Sequence, residues 1–263
     1  MQSGLEMASA MPLTNVLILT NDVRKRMGEL RNSEGTQGVR ARWDGGRLGG
    51  DSALDTKFNT LQLGWDIKPW EADARNGAAL SYTSGDTETA RGDAGLEGWG
   101  FAAYGTWFAD SGLFEGVVAR AASLKNDLAV GSNTGELEDT VYGLSVETGM
   151  RFDLSEHFYA EPQEELAYTP VGSDDYALGG ATYSADPVDS FTGRAGFAAG
   201  VNFPEDAGGA YLHASVVHEY AGDAEITGGN GATNSYDGDD TWVEYGLGVN
   251  FNVSNSAYLW ADL

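Results

Sequence analysis

Three histidines, His157, His213 and His218, are the only imidazoles in the chain, and they show no metal-ligand spacing of the His-Glu-x-x-His kind. There is no cysteine, which excludes disulfide frameworks and thiolate metal sites. Ser155 and His157 are near neighbours, but no Ser–His–Asp constellation forms around them; they read as a turn and the start of a strand. The tripeptide Arg91–Gly92–Asp93 sits in the polar stretch "GDTETARGD", where common loop residues recur by composition alone. The pairs Asp174–Asp175 and Asp239–Asp240 offer carboxylates to a calcium ion but lack the regular ligand spacing of a calcium loop, and solvated charge accounts for them. Spacing alone therefore assigns no catalytic residue, and no metal or cofactor is expected. What remains is charge. The segment "DVRKRMGELR", Asp22 to Arg31, holds Arg24, Lys25, Arg26 and Arg31 in a chain of 15 basic and 40 acidic residues.

The asymmetry has a location. Residues 1–47 carry seven basic and five acidic side chains; the remainder carries eight basic and 35 acidic. So anionic a body argues against a nucleic-acid partner, which needs a basic face. No apolar run reaches the ~18–20 residues of a membrane-crossing helix, and the apolar stretch Val16–Leu19 is too short for a secretory signal. With 37 glycines, six prolines and aromatics spread throughout, the composition favours many β-strands.

The elements that must position any functional side chain are strands. In "TWVEYGLGVNFNV", Thr241 to Val253, Val243, Tyr245, Leu247, Val249, Phe251 and Val253 alternate with Trp242, Glu244, glycine and asparagine. Such period-two patterning gives a strand one apolar and one polar face. Its thirteen residues exceed the ~5–6 of a common soluble strand and cover the ~9–11 of a membrane-spanning one. The pattern predicts eleven strands, near 38–44, 57–67, 76–84, 95–108, 112–125, 138–152, 157–170, 189–203, 209–222, 240–253 and 256–263. Strand 112–125 has an ambiguous facing, because Glu115 and Arg120 differ in parity. The expected connections alternate long and short without exception, the rhythm of a membrane barrel with short turns at one end and long loops at the other.

Hydrocarbon demands the apolar face outward and a closed sheet. Parity then assigns Asp66, Glu147, Glu161, Glu165, Glu219 and Glu244, with Arg151 and Arg194, to a wet lumen, since small and charged side chains cannot form a dry core. Trp65, Trp99, Trp107, Tyr245 and Phe251 face lipid. Before the first strand, Leu13 to Arg31 is predicted as a helix of ~28 Å, about the thickness of a bilayer core. Its cationic side chains complement an acidic lumen, which places the helix in the pore with its N-terminus toward the long loops.

The run "NDVRKRMGELRN" followed by "GVRARWDGG" resembles the linker helix and first strand of autotransporter β-domains, the translocators of type V secretion. "LQLGWDIK", "AAYGTWFADSG", "YGLSVETGMRF" and "YAEPQEELAY" look like further strands of that family. The resemblance implies an all-β, antiparallel transmembrane β-barrel of twelve strands in the outer membrane of a Gram-negative bacterium, with an N-terminal α-helix in its pore. It also implies export of an N-terminal passenger, insertion by outer-membrane assembly machinery, and outer-membrane lipid as the solvent. The expected division is an upstream tail over 1–12, a linker or pore helix over 13–34 and the barrel over 35–263. Eleven predicted strands against twelve suggest a missing last strand and an open sheet edge. Members that cleave themselves use an asparagine in the pore assisted by acidic residues; by resemblance that role falls on Asn21, with Asp22 after it and Glu165 as the retained acid, while Gly116 stands where another acid is needed. The reading is a transport and anchoring role rather than an enzyme. The alternatives are a translocator that also self-cleaves at Asn21–Asp22, or an adhesin or porin-like barrel acting through its long acidic loops.

Overall fold

The computed structural model describes Met11, residues 14–16, Ile18, and residues 37–49, 54–68, 73–89, 92–254 and 256–263. In chain order the strands are β1 (Gln37–Gly49), β2 (Leu54–Ile67), β3 (Ala74–Thr89), β4 (Gly92–Phe108), β5 (Leu113–Val130), β6 (Asn133–Met150), β7 (Phe152–Asp153), β8 (Phe158–Ser173), β9 (Tyr176–Leu178), β10 (Ala181–Ala185), β11 (Val188–Asn202), β12 (Gly208–Glu219), β13 (Ala224–Gly228), β14 (Thr233–Tyr236), β15 (Asp240–Ser254) and β16 (Ala257–Asp262). Eleven of these, β1 to β6, β8, β11, β12, β15 and β16, make one ring of neighbours. Ten junctions are antiparallel, and β6 pairs β8 directly.

The ring closes, against the expectation of an open edge. β1 and β16 pair in parallel, from Val39 opposite Ala257 to Asp44 opposite Asp262. An odd number of up-and-down strands leaves its first and last members pointing the same way, so one parallel junction is the geometric condition for closure. No crossover is needed, because the two strands are not consecutive in the chain.

The predicted long loops are a second correction. β3 runs to Thr89, β4 starts at Gly92, β5 runs to Val130 and β6 starts at Asn133, so stretches expected as loops continue the barrel wall. The two remaining long connections fold as hairpins, β9–β10 and β13–β14, and β10 pairs β13. They overhang one mouth, called here the extension end; the opposite mouth is the turn end. Polar Gly, Asp and Thr suggested loops, but a strand beyond the lipid has no need of an apolar face.

The outward side chains mark where the lipid lies. An aromatic rim of Trp43, Tyr82, Trp99, Tyr142, Tyr168 and Phe191 runs around the ring near the extension end. Its rings touch across strands, Tyr82 with Trp99 at 5.0 Å between centroids and Phe191 with Tyr220 at 5.7 Å. Two rim phenols reach polar partners, Tyr82 donating to Glu97 at 3.2 Å and Tyr168 to Asp189 at 2.7 Å. This is the amphipathic placement that suits a headgroup boundary. Beyond the rim the outward residues become Lys57, Asp86, Asp127, Glu136 and Glu138; below it they are leucine, valine, phenylalanine and tryptophan. Strands of 16 to 18 residues, as in β3 to β6, thus cross the hydrocarbon and continue past it.

Strand β5 resolves its ambiguous facing. Even positions face inward, so Arg120 points into the bore and donates to Ser145 at 3.4 Å, while Glu115 lies outside near the turn end, opposite Trp107. Inside, bulky rings lie over glycines of neighbouring strands. A Cβ at Gly77 would fall 2.2 Å from the Tyr104 hydroxyl, and one at Gly248 would fall 2.2 Å from the Tyr211 ring, so only glycine permits these approaches.

Candidate functional site

The inward faces meet in a bore with two chemically distinct halves. The half near the turn end is charged. Across β5, β6, β8 and β11, registered neighbours place Gly116, Glu147, Glu165 and Arg194 in one row. Arg194 donates to Glu165 at 2.6 Å and to Glu244 at 3.1 Å, and the Trp242 indole donates to the same Glu244 oxygen at 3.0 Å. Asp66 receives the Tyr104 hydroxyl and lies 3.4 Å from the Arg40 guanidinium. Glu161 accepts from Gln163 at 2.7 Å. Arg151 stands at the turn-end mouth, 3.7 Å over the Tyr159 ring, and donates to Asn202 at 3.0 Å. Glu219 is buried as well, but at the other end: it accepts from Ser190 and from the backbone N–H groups of Phe191 and Ala221, so it ties down the strand β12 exit.

Parity left several inward residues unremarked. Arg40, Arg42 and Asp44 of β1 share one parity in "GVRARWDGG", opposite Val39, Ala41 and Trp43, and all three are buried. Arg40 donates to Gln62 at 2.7 Å; Arg42 lies 4.6 Å over the Trp260 ring and 3.4 Å from Asp44. Asp262 receives the Tyr211 hydroxyl and lies 3.5 Å from His213. Reading the β1 sequence with the same alternation used elsewhere would have found the first three. Among the described residues, the fully buried charges are eight carboxylates and four arginines.

The half near the extension end is apolar, where a wet lumen was expected. Phe58, Leu96, Ala122, Leu124, Val141, Val171, Val188 and Ala224 form a buried cluster with Val16 and Ile18 of the N-terminal segment. One layer nearer the mouth, Ala94, Leu128, Leu137, Tyr176, Leu178, Tyr183, Ala185 and Ile226 cluster with Met11. The hairpins supply much of this second layer, so they lean over the mouth and pack against Met11. Tyr176 and Tyr183 stack at 5.1 Å, and burial pushes the Tyr176 phenol well above its ordinary range. The reason for the miss is positional: near the extension end the alternation of β5 and β6 reverses, with Leu124, Leu128, Leu137 and Val141 inward and Lys125, Asp127, Glu136 and Glu138 outward, because the wall there has passed beyond the lipid.

Met11, residues 14–16 and Ile18 are helical, with Met11 two residues ahead of the expected start. Met11 lies in the layer nearer the mouth and Ile18 in the deeper one, so the segment enters with its N-terminal side toward the extension end. The remainder of the predicted helix, with Asn21, Asp22, Arg24, Lys25, Arg26 and Arg31, lies outside the described residues. The five aromatic residues assigned to lipid, Trp65, Trp99, Trp107, Tyr245 and Phe251, all stand on the exposed face, Tyr245 the most so at 83%. Ser155 serves its turn: its hydroxyl accepts from the Phe158 N–H at 3.2 Å. Asp239 lies 3.8 Å from His218, and Asp174 lies in the link between β8 and β9.

The Autotransporter beta-domain family matches residues 36–263. The chain is 30% identical over 261 residues to a pertactin autotransporter of Bordetella parapertussis, a match covering 92% of this chain and 28% of that protein. The chain therefore corresponds to little more than a quarter of that relative's length. Among solved structures, the translocator domain of the autotransporter NalP from Neisseria meningitidis superposes with a TM-score of 0.71 at 15% identity, covering 94% of this chain and 89% of that one. The transport unit of the autotransporter AIDA-I from Escherichia coli gives 0.63 at 16% identity, covering 95% and 89%. At those identities the superpositions establish the fold, and the family match over most of the chain establishes the kinship. The chain belongs to the autotransporter β-domain family, the export barrels of the Gram-negative outer membrane.

Proposed function

We propose that the chain is the translocator domain of an autotransporter, which exports an N-terminal passenger and holds it at the cell surface. Its work is transport and anchoring, with no bond made or broken by the barrel. The observation that carries this reading is the placement of the N-terminal segment: it lies inside the bore and points its upstream end through the mouth that bears the hairpins. In outer-membrane barrels the longer connections face outward, so whatever precedes Met11 is delivered to the exterior. The charged half of the bore suits the rest of the linker over 13–34. Buried carboxylates outnumber buried arginines there, and Arg24, Lys25, Arg26 and Arg31 would balance them. Asp66, Glu147, Glu161, Glu165, Glu244, Arg151 and Arg194 then line the pore, and Trp65, Trp99, Trp107, Tyr245 and Phe251 meet lipid. Outer-membrane lipid and the assembly machinery that inserts such barrels are its partners besides the passenger.

Self-cleavage at Asn21–Asp22 is weaker on this geometry. Glu165 is already engaged by the Arg194 guanidinium at 2.6 Å, and Gly116 in the same row supplies no second acid. The test fuses a small protease-sensitive reporter ahead of Met1 in a Gram-negative host. Protease added to whole cells should remove the reporter and leave the barrel intact. A reporter confined to the periplasm of cells whose barrel is inserted would overturn the proposal.

A further inference from the structure

Within the apolar half of the bore a polar contact joins the N-terminal segment to the wall. The Asp139 carboxylate is buried on β6 between Leu137 and Val141, both fully buried. It accepts from three elements: Asn126 of β5 at 3.1 Å, Ser173 of β8 at 2.5 Å, and Asn15 of the N-terminal segment at 2.5 Å. Two donors belong to the wall and fix the carboxylate in place. The third belongs to the segment that occupies the mouth. We infer that Asp139 is a positioning residue that sets the axial register of the N-terminal segment, through Asn15, and thereby keeps the bore shut.

The physical reason is the surroundings. Apolar packing between Met11, Val16, Ile18 and the wall is strong but nearly indifferent to sliding, because one aliphatic contact replaces another. A buried carboxylate is not indifferent. Sliding the helix by one residue moves it ~1.5 Å and turns it ~100°, which takes the Asn15 amide off Asp139 and offers it an apolar neighbour such as Val16 instead. A charge-assisted hydrogen bond lost in a dry site costs more than an ordinary one. The contact therefore selects one register among many that packing alone would allow. Nothing in it depends on what the barrel exports.

The experiment reads ionic conductance of the full chain in planar lipid bilayers, with heat-modifiable gel mobility as the check on barrel assembly. Wild type should stay mostly closed. In Asn15→Asp two carboxylates meet where a donor met an acceptor, and both cannot ionise at that distance. The open-to-closed ratio should rise ~10-fold or more, the scale of one charge-assisted hydrogen bond. Asp139→Asn in the Asn15→Asp background restores a donor–acceptor pair with the roles reversed, and should return the bore to closure. A purely structural effect of either substitution would add rather than cancel. Should Asn15→Asp fail to assemble, Asn15→Leu must open the bore by the same measure. An Asn15 variant as closed as wild type, or a double variant as open as Asn15→Asp, overturns the inference.

Discussion

At the scale of residues, the bore is a lesson in how charge survives away from bulk water. Arg194 illustrates it: its guanidinium is fully enclosed, yet it bridges Glu165 and Glu244, and the Glu244 oxygen that it meets also receives the Trp242 indole. Both guanidinium NH2 groups have a carboxylate acceptor, and such direct pairing is the condition for a buried ion pair to persist. Removing one partner is predicted to be worse than removing both. Arg194→Met alone strands two carboxylates against each other and should lower the unfolding free energy by ~3–5 kcal/mol. Adding Glu165→Gln and Glu244→Gln should recover most of that loss. Urea unfolding in detergent micelles, followed by intrinsic tryptophan fluorescence, measures both; a triple variant no more stable than Arg194→Met would show that packing, not charge balance, holds the row.

At the scale of elements, the weak point is the seam. Antiparallel β5 and β6 share a register from Leu113 opposite Met150 to Val130 opposite Asn133, whereas β1 and β16 share only Val39 to Asp44. Parallel pairing is also slightly weaker per residue. Hydrogen exchange should therefore be fastest at the β1–β16 junction and slowest at β5–β6, and a Leu259→Pro change in β16 should raise exchange in β1 while sparing β5. Equal protection at both junctions would contradict this. The strands themselves were legible in the sequence because lipid enforces alternation: Leu61, Leu63 and Trp65 outward, Gln62 and Asp66 inward. Legibility failed wherever that pressure lapses. Beyond the rim, Asp86, Glu88 and Glu136 read as loop yet extend β3 and β6. Inside the mouth, Leu128 and Leu137 fall in the predicted connection between strands 112–125 and 138–152 yet build an apolar seal. The pairing of β1 with β16 depends on strand count and curvature, which no local pattern carries. Of the candidate site, the carboxylates of the turn-end half followed from parity, and Glu219 showed that parity fixes a side but not a depth.

At the scale of the whole molecule, the barrel is an acidic tube with an oily stopper at one end, and the proposed reading gives the rest of the bore to a basic rod. The stopper and the rod solve different problems. Apolar contact at the extension end excludes water without regard to charge, while on the proposed reading the cationic linker would neutralise a surplus of buried carboxylates that otherwise repel one another. The two can be separated experimentally. Deleting residues 1–34 takes away both Met11, Val16 and Ile18 from the mouth and all four cations of the "DVRKRMGELR" segment. The emptied bore should conduct, because the wall residues of the two apolar clusters no longer have a partner to close upon. It should also select for cations, since the buried charges of the bore, eight carboxylates against four arginines among the described residues, would then face water unbalanced. Under a salt gradient in planar bilayers, the reversal potential should indicate a preference for K⁺ over Cl⁻ of ~3-fold or more, falling as ionic strength rises and screening shortens. Neutralising Glu147 and Glu161 together, each to glutamine, should reduce that preference without closing the channel. An unselective or anion-selective pore would mean that the carboxylates do not control the field along the axis, and the linker's positive charge would then need a partner other than the wall.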